Sequence, residues 1–516
     1  SVIQMFVEKH LETAVKEHDV RNRAFCIVME IKTGRVLAMS TKGDYDPNEP
    51  FVIYDPNAQK RLDELEKGSD EYYAQLKIEQ ELQWRNKAVS DPYEPGSVFK
   101  IITASSALEE NVVTANSTFT CNGYINVAGN NIKCWRYPRN HGTQTLAQTL
   151  QNSCNPAFIM IGQKLGGALF YKYFDNFGLN KKTGIDIPGE ADNSGLVHSL
   201  HSLTELGSES LSYLSSSAFG QTFKVTPIQL ITAISGILNG GNLMKPYIVE
   251  QQLDSDGNIV EVTSPQVVRQ VVSEDTSKQM ANFLEQVVEL GSGRYAKVKG
   301  YRIGGKTGTS EKLDSGDKSA RISSFLGFAP ADDPQVAVLL ALDEPHSDSV
   351  YGSVIASPVV GNILADILPY LGIEPQYSED ELSSMEMSVP YLLGENPYEA
   401  SNTLKSQGFA VKTIGEGEKV VKQVPGAGEP LIKGGTVVLY TDASATEETV
   451  TVPNVIGLSG QQASKALTNK NLNIRISGID ISQGNTKAVS QSIEAGEKVA
   501  PGTVITVEFV TTDELH

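Results

Sequence analysis

The sequence predicts an α+β fold, an antiparallel sheet packed between helices, followed by two small α+β modules. Three observations carry this. Strong strand signals come as a hairpin near the start and as consecutive runs after residue 300, which favours antiparallel pairing. Segments of helical period are grouped around them, the layered arrangement of an α+β domain. Beyond Gly372 the composition shifts and a strand–helix pattern repeats itself. At 516 residues the chain is too long for one core, and two to four domains are expected.

In chain order, residues 1–20 read as an amphipathic helix, with Val2, Ile3, Met5, Phe6, Leu11 and Ala14 at helical spacing. Phe25–Ile31 and Val36–Met39 read as a hairpin around Lys32-Thr33-Gly34. Residues 55–85 are polar and helix-prone, a surface insertion. Residues 112–145 are rich in Asn, Gly and Thr with little periodicity, and a loop this long is functional or pinned by something. Helices are expected over 145–180, 226–239, 275–290 and 355–370, with strands from Tyr301 to Ser310, Ser323 to Phe328 and Val336 to Leu342. The domain is expected to span 1–372, a linker 373–387, and the modules 388–445 and 446–512. Val389-Pro390 and Val452-Pro453 open the two repeats, and Gly428-Glu429 and Gly496-Glu497 precede their last strands. Each unit, at roughly 60 residues, is marginal alone.

The net charge of −19 argues against nucleic acid and against an anionic membrane surface. No run is expected to reach the roughly 18 apolar residues of a membrane span. The chain begins at Ser1 as if cut from something longer, so any anchor is expected outside it.

The chemistry centres on Tyr93-Glu94-Pro95-Gly96-Ser97-Val98-Phe99-Lys100. Pro95 and Gly96 set a turn, and an apolar helix follows at once. Ser97 falls in the first helical turn, with Lys100 three residues on and on the same face. A serine hydroxyl becomes a nucleophile when a base takes its proton. A lysine desolvated by the same burial can serve, because burial lowers its pKa. The helix N-terminus favours the oxyanion that follows. Taken alone, S-x-x-K is common by chance and reads as a capping serine with a solvated lysine.

Two further motifs change that reading. Ser153-Cys154-Asn155 opens a helix at the end of the long loop, with Pro156 in its first turn. Lys306-Thr307-Gly308-Thr309 lies on an expected strand. In this order and in these local structures the three do not arise together by chance. On them, residues 1–372 resemble the transpeptidase domain of class B penicillin-binding proteins. Phe219-Gly220-Gln221, Phe325-Leu326-Gly327 and Tyr351-Gly352 also look like that family, and the two repeats resemble PASTA modules. The nearest likeness is to the sporulation-specific or division-type enzymes of spore-forming bacteria.

The resemblance implies roles. Ser97 is the acylated nucleophile and Lys100 its general base. Ser153 relays a proton toward the leaving group, Asn155 hydrogen-bonds the substrate amide, and Lys306 supports Ser153. Thr307, Gly308 and Thr309 belong to the substrate-binding strand, the two threonines contacting the substrate carboxylate. The backbone N–H groups of Ser97 and Thr309 form the oxyanion hole. The implied substrate is the peptidoglycan stem peptide. β-Lactams are the implied inhibitors, a membrane glycosyltransferase the partner, and the outer face of the membrane the location. A serine β-lactamase or carboxypeptidase is the enzymatic rival, and a β-lactam sensor or wall-binding scaffold the other. The PASTA modules are expected as spacers rather than ligand sites.

Cys26 lies in an apolar strand and is expected in the core. Cys121, Cys134 and Cys154 fall within one stretch, as does His141, one of only seven histidines. Three thiols and an imidazole suit a tetrahedral structural zinc. A disulfide would leave one thiol over. Free thiols are the third reading. No organic cofactor is expected.

Overall fold

The computed structural model describes residues 1–313, 315–317, 319–377, 381, 386–442, 448–478 and 486–511. Parts of the expected linker, at 378–380 and 382–385, and parts of the modules, at 443–447, 479–485 and 512, lie outside the described residues. The chain divides into two compact units, 1–298 with 302–371, and 299–301 with 372–516.

The first unit is built on a five-stranded antiparallel sheet. Its strands are β1 (Arg23–Glu30), β2 (Val36–Lys42), β3 (Gly304–Glu311), β4 (Arg321–Ala329) and β5 (Val336–Asp343). Their order is β3-β4-β5-β1-β2, so the first hairpin completes a sheet whose other half is made some 300 residues later. The central strand β5 is buried along its whole length and β1 nearly so, which is why both read as continuous apolar runs. Cys26 is fully buried on β1.

Helices cover both faces. The N-terminal helix α1 (Val2–Glu17) and the last helix α6 (Ser357–Tyr370) pack together, α1 on β1 and β2, α6 on β4 and β5. The opposite face carries α4 (Pro227–Leu238) against β1 and β5, while α5 (Glu274–Glu289) packs on β3. Both α4 and α5 contact the helix α2 (Lys100–Glu109). Every residue of α4 is buried, and Thr226 starts it with a capping box to Gln229. The insertion forms two helices, Pro56–Asp63 and Asp70–Trp84, joined by the Arg61–Glu79 ion pair.

Two expectations need correction. Residues 112–145 are not one loop but two short ribbons, Thr118–Cys121 with Gly142–Thr145 and Tyr124–Val127 with Asn130–Lys133. Their strands have four residues each; Thr118–Cys121 alternates exposed threonines with buried Phe119 and Cys121, but a run this short does not stand out from loop in the sequence. The stretch Gly352–Tyr370 is long and apolar enough to cross a membrane, contrary to the expectation that none is. It is 61% buried in the domain, and its last fourteen residues are α6 on the sheet, a core helix by packing.

The second unit contains two modules with one plan. In each, a helix (Pro397–Ser406, Gly460–Thr468) precedes a three-stranded sheet with one parallel and one antiparallel pairing. Repeated residues form the cores, Val389, Leu392, Ala400 and Leu404 in one, Val452, Val455, Ala463 and Leu467 in the other. A glutamine ties the opening segment of each, buried in the first module and half-buried in the second. Gln423 accepts from Leu392 N at 2.8 Å and donates to Pro390 O at 2.9 Å. Gln491 does the same with Val455 N and Pro453 O at 2.9 and 3.2 Å.

Candidate active site

Ser97 lies in a 3₁₀ turn, Gly96–Phe99, rather than in the α-helix itself. Helix α2 begins at Lys100 and carries the lysine inward. The turn is held from both sides. Gly96 N donates to Gly220 O at 2.9 Å, and Ser310 Oγ on β3 donates to Glu94 O at 3.0 Å. Gly220 has φ +90°, and a Cβ there would sit 2.0 Å from Gly96 O, so only glycine allows this approach.

The second motif is delivered by a tight reversal between the helix Leu146–Gln151 and α3 (Asn155–Leu165). Ser153 adopts φ +49°, a left-handed conformation that costs about 1 kcal/mol for a non-glycine residue. Bonds from Ser153 N to Leu150 O and Cys154 N to Thr149 O hold it there. Cys154 caps α3 and Pro156 occupies its first turn. The third motif is β3, the edge strand of the sheet, whose free edge offers backbone groups to an added peptide.

The three segments meet at two buried amines. Lys100 Nζ lies 2.9 Å from Ser97 Oγ, 2.9 Å from Ser153 O, 3.2 Å from Ser153 Oγ and 2.6 Å from Asn155 Oδ1. Lys306 Nζ lies 2.9 Å from Ser153 Oγ and 3.0 Å from Thr307 O. Both lysines are 0% exposed, without a carboxylate partner among their hydrogen bonds. Burial pushes the Lys100 pKa down to about 7, opposed by nearby Cys154 and Cys134. Lys306 is also held well below the usual lysine range, by burial first and by the charge of Lys100 second. A lysine with a pKa near neutrality is a competent base at physiological pH.

A cavity of about 560 Å³ opens above them. Ser97, Ser153, Asn155, Thr307 and Thr309 line it, and the two lysines lie beneath. Thr309 Oγ1 accepts from Gly352 N at 3.0 Å, and Thr307 Oγ1 lies 3.0 Å from Ser292 Oγ. Gly308 does not line the cavity. It lets β3 pack, since a Cβ would fall 2.3 Å from Ser324 Oγ. Trp135, Arg321 and Tyr351 also line the cavity, the first two belonging to none of the motifs. The tryptophan adjoining Cys134 was the available signal. A cavity of about 630 Å³ among Arg23, Arg61, Lys87 and Tyr93 contains none of the three motifs.

Beside the second motif, Cys121, Cys134, His141 and Cys154 come together. Their ligand atoms lie within 4.8 Å of one another, and all the cysteines are buried free thiols. Tetrahedral zinc with bonds near 2.3 Å sets sulfurs about 3.8 Å apart, so the cluster needs only a small contraction. His141 Nδ1 is 3.4 Å from Cys134 Sγ, and its buried Nε2 has no hydrogen-bond partner. The donor set fits a structural metal, and the orphaned imidazole nitrogen agrees with it.

Comparison with known proteins identifies the family and the fold. The family described as penicillin binding protein transpeptidase domain matches residues 24–365, and the PASTA domain matches residues 387–443 and 450–511. Stage V sporulation protein D of Bacillus subtilis (strain 168) is 36% identical over 449 residues, covering 85% of this chain and 64% of that protein. Penicillin-binding protein PbpB of Mycolicibacterium smegmatis is 29% identical, covering 67% of this chain and 49% of that protein. The chain thus spans between about half and two thirds of the length of these curated relatives. Penicillin binding protein 3 from Mycobacterium tuberculosis, solved in complex with aztreonam, is 26% identical with a TM-score of 0.60, covering 72% of this chain and 78% of that one. Penicillin Binding Protein 2X from Streptococcus thermophilus shares the fold at 20% identity, TM-score 0.58, covering 99% of this chain and 70% of that one.

Proposed function

The chain belongs to the penicillin-binding protein transpeptidase family, with two PASTA domains after the catalytic fold, and from that membership we propose that it is a serine D,D-transpeptidase. Its substrate is the peptidoglycan stem peptide, and β-lactams acylate the same serine. The observation that carries the reading is Lys100, a buried amine of lowered pKa in contact with Ser97, Ser153 and Asn155 at once.

The steps follow from that contact. Neutral Lys100 takes the Ser97 proton as Oγ attacks the substrate carbonyl. The new oxyanion is held by the backbone N–H groups of Ser97 and Thr309. Thr307 and Thr309 hold the substrate carboxylate, and Asn155 holds the amide behind the reacting bond. The proton passes through Ser153, which lies within reach of both lysines, to the departing amine. The C–N bond breaks and an ester on Ser97 remains. A second amine attacks that ester, its proton returns to Ser97 Oγ through Lys100, and the cross-link is released.

The test is mass measurement after penicillin treatment. One adduct is expected, on Ser97, and none in Ser97→Ala. Labelling elsewhere, or none, would overturn the assignment. Fast loss of the adduct, within seconds, would instead favour the β-lactamase or carboxypeptidase reading. Against an inert scaffold stands the complete set of catalytic groups in bonding contact, and against a sensor stand the two PASTA domains.

Septal or spore-cortex wall synthesis is the physiological setting we infer, supported by the likeness to a stage V sporulation protein. The outer face of the membrane and a glycosyltransferase partner follow from the same reading. Deletion of the gene should leave the septum or cortex under-cross-linked, and an unaltered wall would count against it.

Zinc is the metal proposed for Cys121, Cys134, His141 and Cys154. It would tie the two ribbons to Cys154, between Ser153 and Asn155, and so fix the second motif; its chemistry there is structural. One zinc per chain is expected from metal analysis of protein prepared without chelators. An oxidised pair of these cysteines, or intact acylation with no metal, would refute it.

A further inference from the structure

Lys133 and Trp135 lie in the cavity wall and have no part in the acylation steps. Trp135 is 63% exposed, an unusual state for so large an apolar ring. Its position is nevertheless fixed, because Nε1 donates to Asn152 O at 2.9 Å, the carbonyl just before Ser153. Lys133 is exposed, with its ammonium over the Tyr137 ring at 4.7 Å and no carboxylate partner among the described residues. An anchored aromatic face beside an unpaired cation is a place where a ligand with an apolar stem and an anion can lie.

The location says which ligand. Residues 151–153 connect Trp135 to the carboxylate-binding end of β3. Ser292 N donates to Gln151 O at 3.1 Å, and Ser292 Oγ contacts Thr307 Oγ1 at 3.0 Å. This hydrogen-bonded path ties the Trp135 wall to Thr307, one of the two threonines assigned to the donor's carboxylate. An amine that attacks the ester must retrace the path of the amine that left, by microscopic reversibility. The acceptor is larger than the residue it replaces, so its body extends past Thr307 along this wall.

We propose that Lys133 and Trp135 form the acceptor subsite, which selects an amine-bearing peptide carrying a carboxylate. This rests on the transpeptidase reading and names the acceptor class that the reading leaves open. In the step concerned, the acceptor nitrogen bonds to the acyl carbon, the carbon–Oγ bond of Ser97 breaks, and the amine proton goes to Oγ through Lys100.

The test gives the protein a thioester donor and measures aminolysis against hydrolysis. Two synthetic acceptor tripeptides are compared, identical except that one has free carboxylates and the other carboxamides. The wild-type protein should prefer the carboxylate form by roughly two- to fivefold, the worth of one exposed ion pair. Lys133→Gln should abolish the preference and Lys133→Arg should keep it. Equal use of both acceptors by the wild-type protein, or a preference surviving in Lys133→Gln, overturns the subsite alone. A protein that forms no acyl-enzyme from donor or penicillin overturns the transpeptidase reading and this inference with it.

Discussion

The Lys100 amine is closer to the Asn155 carboxamide oxygen, at 2.6 Å, than to Ser97 Oγ, at 2.9 Å. That oxygen and the Ser153 carbonyl can only accept hydrogen bonds. A neutral amine has two hydrogens, and these two oxygens take both. Its lone pair is then left for the Ser97 hydroxyl. Asn155 thus orients the Lys100 amine as well as lining the cavity.

Acylation should therefore follow the ionisation of Lys100. The charged form has no lone pair, so the penicillin acylation rate constant should fall tenfold per pH unit below about 7 and level off above it. Stopped-flow acylation across pH 5.5–9 reads this. A flat profile would remove Lys100 as the base.

Asn155→Asp preserves shape and adds a negative charge beside the amine. An opposite charge at this distance raises a lysine pKa, by about 1 to 3 units. The inflection should move to higher pH by that amount, with activity recovered in alkali. A loss that alkali does not restore would mean the carboxamide acts mainly on substrate.

Gly220→Ala should displace the serine turn. The added methyl meets Gly96 O at 2.0 Å in a backbone conformation that alanine disfavours. Acylation should drop about 10²-fold for a displacement near 1 Å, with a stability loss of roughly 1–3 kcal/mol. Thermal melting and penicillin labelling, measured together, separate the two effects.

Metal removal should act through the same geometry. His141→Ala would delete one of the four proposed ligands beside the second motif. A lower melting temperature and slower acylation are expected together, with zinc content reduced. Normal acylation in a zinc-free variant would show that the reversal at Ser153 holds itself.

Much of this was legible because burial leaves a mark. The continuous apolar runs of β1 and β5 and the period of α1 announced the sheet and its cover. The three motifs announced themselves by residue type. The ribbons at 118–145 were not legible, because strands of four residues are too short for their alternation to stand out from loop. The 3₁₀ turn at Ser97 was missing too, since a helix start and a 3₁₀ turn share one sequence signature. Trp135 is exposed and obeys no periodicity, while Arg321 is a half-buried residue opening β4, where a charge at a strand end carries no functional mark. Gly220 was noticed as a family-like residue, but its contact with Gly96 O depends on tertiary approach. The paired glutamines Gln423 and Gln491 were visible at equivalent places in the repeats, yet polar residues there look like surface until their partners are known.

Lys100 meets the turn at Ser97 and the helix start at Ser153–Asn155, and Lys306 of the edge strand joins them through Ser153, three segments far apart in the chain. Only their union desolvates the amine. A chain still emerging from the ribosome, or one collapsed without β3 in place, carries an ordinary charged lysine and an inert serine. A fluorescent penicillin would then report conformation as well as chemistry. The labelled fraction of a preparation would equal the fraction of molecules whose two distant halves have closed into one sheet, a native-state census taken one covalent bond at a time.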